Sequence, residues 1–173
     1  MSVILTDCDG VLLNWEYAFN VWMERKEIKK HANYQYSYSI AMQYGISTTK
    51  AKELIRAFNE SAMIGFLPPL RDAIEYVQKL HRIHGYTLHV ITSLSLDPAA
   101  CQLRTQNLQK LFGENVFDGF TYLDTGADKH EALKKYDGRE LYWIEDKIQN
   151  AEDGKLYGLK PILMEHGHNM NHD

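Results

Sequence analysis

Apolar and polar residues along this chain fall into short blocks whose period keeps changing. Val3-Ile4-Leu5 is a continuous apolar run, closed by Thr6 and an acidic loop that starts at Asp7. A run of that kind predicts a buried strand. Asn14 is placed to cap a helix, with Trp15, Ala18, Phe19 and Trp22 at helical spacing, and the helix is expected to reach Lys29 or Lys30. Between His31 and Tyr44 the character changes: Tyr34, Tyr36 and Tyr38 alternate among Gln, Ser and Asn, as in a short strand or equally a loop. Ser47 or Thr48 then caps a helix with Ala51, Leu54, Ile55 and Phe58 on one face. Pro68-Pro69 stops the pattern, because proline is excluded from a helix interior but can lead into a first turn.

From Pro69 onward, helices and strands alternate. A helix with Ala73, Ile74, Val77 and Leu80 inward closes at Gly85, and residues 86–91 form a second core strand ending at Thr92-Ser93. Asp97-Pro98 opens a helix carrying Leu103, Leu108, Leu111 and Phe112 toward Gly113, and a short strand lies within 116–122. Asp128-Lys129-His130-Glu131 has capping-box form, with Asp for the usual hydroxyl residue. Residues 141–144 form another apolar strand ending at Glu145-Asp146; a helix follows from Lys147 and a last strand lies in 159–164. This alternation predicts an α/β fold, a doubly wound parallel sheet flanked by helices with right-handed crossovers. The stretch 14–67 interrupts it and is too long for a connecting loop. It reads as a small, mostly helical cap inserted after the first strand, which leaves 1–13 and 68–173 as the core.

Composition narrows the class. A length of 173 residues with 45% hydrophobic content suits one packed domain. The net charge of -4, with both signs interspersed, gives no footprint for duplex nucleic acid. No run is long and apolar enough for a membrane partner, no basic leader precedes an apolar run, and two cysteines are too few for a disulfide framework. These features predict a cytoplasmic protein and leave its oligomeric state open.

Chemistry concentrates at the strand ends. Asp7 and Asp9 stand two apart, so an extended backbone presents both carboxylates on one side. Gly10 then allows a sharp turn. An acidic pair there suits a hard cation and a nucleophile–acid pair; the same residues also make ordinary turns. Thr92 and Ser93 offer hydroxyls and N–H groups to phosphate oxygens, or cap the next helix. Lys129 sits at a helix start, where the dipole disfavours a cation unless an anion binds; otherwise it is a solvated lysine. Glu145-Asp146 either completes a magnesium site with Asp7 or supplies the acidic first turn of a helix. Alternation turns Cys8 into the core. The tail 165–173, with His166, His168 and His172, reads as a frayed terminus rather than a metal tract, since it lacks a fixed scaffold.

In this order, strand–Asp-x-Asp-Gly-Val-Leu, strand–Thr, helix-start Lys and strand–Glu-Asp resemble the haloacid dehalogenase-like hydrolase superfamily over nearly the whole core. The resemblance implies a magnesium-dependent phosphatase. Asp7 would be the nucleophile that forms an aspartyl-phosphate, and Asp9 the acid and then the base. Magnesium (Mg2+) would bind the Asp7 carboxylate, the Asp9 carbonyl and Asp146, while Thr92, Ser93 and Lys129 hold phosphoryl oxygens. Asp9 distinguishes phosphatases from dehalogenases, which lack this acid. Many members carry a further acid where this chain has Asn150, so Glu145 and Asn150 are expected to stand behind the metal ligands.

Phe66-Leu67-Pro68-Pro69-Leu70, Val90-Ile91-Thr92-Ser93, Leu111-Phe112-Gly113 and Asp128-Lys129 are similar in order to the deoxyribonucleotidase branch. That similarity implies a nucleoside monophosphate as the small phosphorylated substrate. Trp15, Tyr34, Tyr36 and Tyr38 are then candidates to contact its base, while Phe19, Trp22 and Phe58 read as the cap's own core. Sugar or other organic phosphates, a polynucleotide end, or a catalytically silent phosphate-binding module remain as alternatives.

Overall fold

The computed structural model describes residues 2–172, so Met1 and Asp173 lie outside the described residues. Five parallel strands, β1 (Ser2–Thr6), β2 (Tyr86–Ser93), β3 (Phe117–Leu123), β4 (Tyr142–Glu145) and β5 (Lys160–Leu163), form one sheet in the order β3-β2-β1-β4-β5. The chain winds outward from β1 to β3, returns to β4 on the other side of β1, and continues to β5. Its switch point therefore lies between β1 and β4, where open α/β sheets place their ligands.

Strand alternation feeds two cores. Ile4, Leu88 and Val90 face one way, while Leu5, Ile91, Trp143 and Leu159 face the other. Between β1 and β2 stand α1 (Trp15–Glu24), α2 (Ile40–Tyr44) and α3 (Thr48–Asn59), with a 3-10 turn at Tyr34–Tyr36 and another at Ala62–Gly65. Asn14 caps α1 and Ser47 caps α3 through their side chains. Phe19, Tyr44, Leu54 and Phe58 from these helices belong to the same buried cluster as Ile4 and Leu88 of the sheet. Phe19 lies at the middle of this packing, stacked on Trp15 at 4.6 Å and meeting Phe58 edge-on at 5.4 Å.

The remaining helices are α4 (Ala73–Arg82), α5 (Pro98–Phe112), α6 (His130–Lys134) and α7 (Ile148–Leu156). The return from the helical insertion is pinned by a buried amide on α5: Asn107 accepts from Leu67 N at 2.6 Å and donates to Leu67 O at 3.1 Å. Asn59 plays a similar part at the end of α3, accepting from Trp15 Nε1 and donating to Leu94 O.

Four local expectations need correction. The first helix ends at Glu24, five residues before Lys29, and Glu27 then takes a left-handed backbone with φ 59°. The tyrosine stretch is a 3-10 turn followed by α2, whose start Ser39 caps. Ile74 points outward, 37% exposed, because α4 buries chiefly Val77. Asp128 makes no capping box. Lys129 occupies the N-cap position without a side-chain cap, and Asp128 Oδ1 instead accepts from His130 N.

Trp143 is fully buried against α7, where a methyl placed on Gly154 would lie 2.5 Å from its Cδ1. Alanine is worth about 1 kcal/mol more than glycine in a helix interior. Overpacking costs about 1–3 kcal/mol. The net cost of Gly154→Ala is therefore up to about 2 kcal/mol, and the melting temperature is expected to fall by up to about 8 °C for a chain of this size. A thermal melt that moved upward would show that the ring and helix are not this close.

Candidate active site

Asp7 N donates to Ile144 O at 2.8 Å, continuing the ladder one step past β1. That step brings Asp7 beside Glu145 and Asp146 at the end of β4. One carboxylate oxygen from each of the three lies within 4.8 Å of the others. Lys129 reaches into this cluster from the start of α6, its Nζ 2.7 Å from Asp7 Oδ1 and 2.8 Å from Glu145 Oε2. The ammonium is fully buried, and both carboxylates hold its pKa above the ordinary value despite the desolvation.

Glu145 is saturated. Its Oε1 accepts from Asp146 N and Lys147 N, and its Oε2 from Lys129 and Asn150 Nδ2. Burial alone would raise its pKa; Lys129 and these hydrogen bonds reverse that and hold it well below the usual value. Glu145 is thus the internal counter-ion of Lys129. Asp7 and Asp146 are the carboxylates left short of positive charge: burial, then repulsion within the cluster, pushes both well above the ordinary carboxylate pKa. Asn150 sits behind them on α7, and its Oδ1 is buried with no partner among the described residues. A hard cation fits this site, since the donors are oxygens and three carboxylates face one ammonium.

Asp9 directly precedes Gly10. Gly10 has φ +77°, and a Cβ there would fall 2.5 Å from Asp146 Oδ2, so the two acidic loops touch at a glycine. Asp9 is paired with Arg104 of α5, whose Nη2 is 3.0 Å from Oδ1. Arg104 is fully buried, and its Nε and Nη1 have no partner among the described residues. Burial raises the pKa of Asp9, and the guanidinium partly offsets this. Arg104 escaped the sequence reading, although the signal was present: it stands four residues from both Ala100 and Leu108, on the buried stripe of α5. Cys8 is buried in the core, where desolvation raises its thiol pKa far from reactive values.

Above these groups opens a cleft of about 860 Å³. Asp7, Asp9, Thr92, Lys129 and Asp146 line it, as do Trp15, Tyr38 and Ile55. Ser93 lines it too, but its hydroxyl donates to Ala127 O at 2.6 Å and is spent there. Tyr34 and Tyr36 do not reach the cleft. A 3-10 turn fans successive side chains around its axis, so the alternation expected of a strand is lost; Tyr34 lies under Lys30, and Tyr36 lines a separate hollow. The tail is the largest departure. Residues 165–168 and Met170 line the cleft, with His168 edge-on to Tyr38 at 5.1 Å and Asn169 buried. Hydrogen bonds to backbone carbonyls hold it there, a signal that residue patterns do not carry.

No family model matches the sequence. Over 158 residues the chain is 26% identical to the uncharacterized 32.4 kDa protein in the Gp30-rIII intergenic region of Enterobacteria phage T4, covering 86% of this chain and 55% of that one. The chain thus spans about half the length of the curated relative it matches. Among solved structures, it resembles a HAD-hydrolase from Bacillus subtilis bound to magnesium, with TM-score 0.61, 14% identity, and 99% and 90% of the two chains covered. It also resembles a haloacid dehalogenase-like hydrolase from Streptococcus pneumoniae, with TM-score 0.60, 17% identity, and 94% and 84% covered. A third is a HAD family enzyme from Bacteroides thetaiotaomicron in complex with magnesium and inorganic phosphate, with TM-score 0.51, 16% identity, and 99% and 98% covered. At these identities the likeness is one of architecture, and the chain has the fold of the haloacid dehalogenase-like hydrolases.

Proposed function

We propose that the protein is a magnesium-dependent phosphatase that hydrolyses a small phosphate monoester through an aspartyl-phosphate on Asp7. The observation that carries this is the pairing of two unlike carboxylates at one cleft. Asp7 lies against a buried ammonium and Asp9 against a buried guanidinium. Binding alone does not need the second acid. The magnesium and phosphate held by the Bacteroides enzyme of the same fold support the reading.

Lys129 and the Cys8 amide both bind Asp7 Oδ1, fixing the carboxylate in one orientation. Asp7 attacks phosphorus while the ester P–O bond breaks, and Asp9 gives its proton to the departing oxygen. Asp9 then takes a proton from the water that cleaves the aspartyl-phosphate, which returns Asp7 and releases phosphate. Lys129 and Thr92 hold the non-bridging oxygens. Asp7, Asp146 and the Asp9 carbonyl would hold magnesium, which supplies the charge that lets an anionic ester approach Asp7. The substrate we infer is a nucleoside monophosphate. A cleft of about 860 Å³ has room for one, and Trp15 and Tyr38 offer aromatic faces to a base. Sugar phosphates are the second reading, favoured by the polar wall of Gln43, Thr48 and Lys52.

Phosphate release from a panel of nucleotides, sugar phosphates and a phosphorylated oligonucleotide tests the reading. Turnover is expected with magnesium and not with chelator, and Asp7→Asn should reduce it by about 10³-fold or more. Full activity in that variant would remove Asp7 as the nucleophile.

Asp9→Asn should slow esters of poor leaving groups by about 10²–10⁴-fold and activated aryl phosphates far less. Arg104→Met is expected to show the same dependence on leaving group in milder form. An equal loss on both ester types would mean that Arg104 does not act through Asp9.

Magnesium at 100 times its Kd should stabilise the fold by about 2.7 kcal/mol, or about 5–10 °C in melting temperature. Metal must displace protons from Asp7 and Asp146, whose pKa values lie above 3.8. The increment should therefore grow as pH rises and shrink as pH falls, the change setting in above the ordinary carboxylate range. Asp146→Asn should abolish it; an intact increment in that variant would exclude Asp146 as a ligand.

A further inference from the structure

The two acidic loops leave the sheet side by side, yet among the described residues no hydrogen bond joins residues 8–10 directly to residues 146–147. The C-terminal segment makes that connection. His166 Nε2 lies 2.7 Å from Gly10 O on the first loop. On the second, His168 Nε2 lies 3.1 Å and Asn169 Nδ2 2.7 Å from Asp146 O. The segment is itself braced: Asn169 Nδ2 also donates to Met164 O at 2.8 Å, Asn169 Oδ1 accepts from His166 N at 2.8 Å, and the two imidazoles stack at 5.5 Å. A carbonyl oxygen only accepts, so each ring must carry its proton on Nε2. Asn169 is 4% exposed, which makes the brace part of the packed structure rather than a surface contact.

We infer that residues 165–170 are a clamp on the cation site, with His166, His168 and Asn169 as positioning residues that fix the distance between Asp7 and Asp146. This rests on the reading that magnesium binds those two acids. The physical reason is the geometry of the ion. Magnesium demands near-octahedral oxygen ligands at about 2.0–2.1 Å and tolerates little slack. Asp7 is the last residue its loop anchors to the sheet, through Asp7 N to Ile144 O, and Asp146 lies one residue past the end of β4. Gly10 and Asp146 are already in contact, so a small parting of the loops would move the Asp146 carboxylate relative to Asp7. Three hydrogen bonds to the two carbonyls, from one braced segment, oppose that parting. None of the three side chains is placed as a ligand; they act through the backbone of the loops that carry the ligands.

The test is magnesium affinity of the full chain by titration calorimetry, beside thermal melts in chelator. His166→Ala and Asn169→Ala are each expected to weaken magnesium binding by about 10–100-fold. His166→Gln, whose amide N–H can reach the same carbonyl, should recover most of that loss. Should Asn169→Ala fail to fold, the half-buried His166 pair still decides. Unchanged affinity in His166→Ala, or a loss that His166→Gln does not recover, overturns the clamp. A wild-type chain that binds no magnesium overturns the underlying reading and the clamp with it. A wild-type chain that binds magnesium but releases no phosphate removes the phosphatase reading alone.

Discussion

The balance of charge around one buried ammonium governs this site. Among the described residues, three carboxylates converge where β1 and β4 end, and Lys129 is the one cation ion-paired with them. Glu145 takes its share fully, through four hydrogen bonds, and stays ionised. Asp7 and Asp146 are left under-compensated, and burial makes that costly. The sheet holds this imbalance in place: Asp7 N donates to Ile144 O, which sets Asp7 beside the end of β4.

Asp9 is kept out of that cluster by a separate partner. Arg104 takes it up from α5, on the other flank of the glycine turn. The two acids of Asp-x-Asp are thus given different electrostatic surroundings although they are two residues apart. One faces an ammonium shared with Glu145; the other faces a guanidinium that has no second carboxylate. Environments that differ in this way are what separate a nucleophile from a proton donor. A core-facing arginine whose remaining N–H groups lack partners is expensive, and that cost makes sense where the charge is used.

Much of the architecture was legible because apolar runs and cap residues are local signals. The parallel alternation and the caps at Asn14, Ser47 and Asp97 follow from residues within a few positions of one another, whereas the gathering of Asp7, Lys129 and Asp146 was implied by the resemblance that their motifs carry. What was not legible depends on distant partners. The tyrosine stretch alternates as a short strand would, or equally reads as a loop; among the described residues no strand pairs with it, and it forms a 3-10 turn. Arg104 and Asn107 look like ordinary helix polar residues until Asp9 and Leu67 arrive beside them. The tail looks unstructured because its ties are to main-chain oxygens, and every residue has one. Lys129 was readable as a surface lysine; only the fold shows that it is enclosed.

The helices between β1 and β2 share a single buried cluster with the sheet. An insertion that owned its core could be exchanged for another without disturbing what lies beneath. Here Phe19 and Phe58 are as much the lining of the sheet as Ile4 and Leu88 are the floor of the helices. Trading the whole segment would strip the sheet of its cover, whereas single residues that line the cleft outside that core, such as Tyr38 or Lys52, can change without disturbing the shared packing. In this chain the wall of the cleft and the cover of the sheet are inherited together.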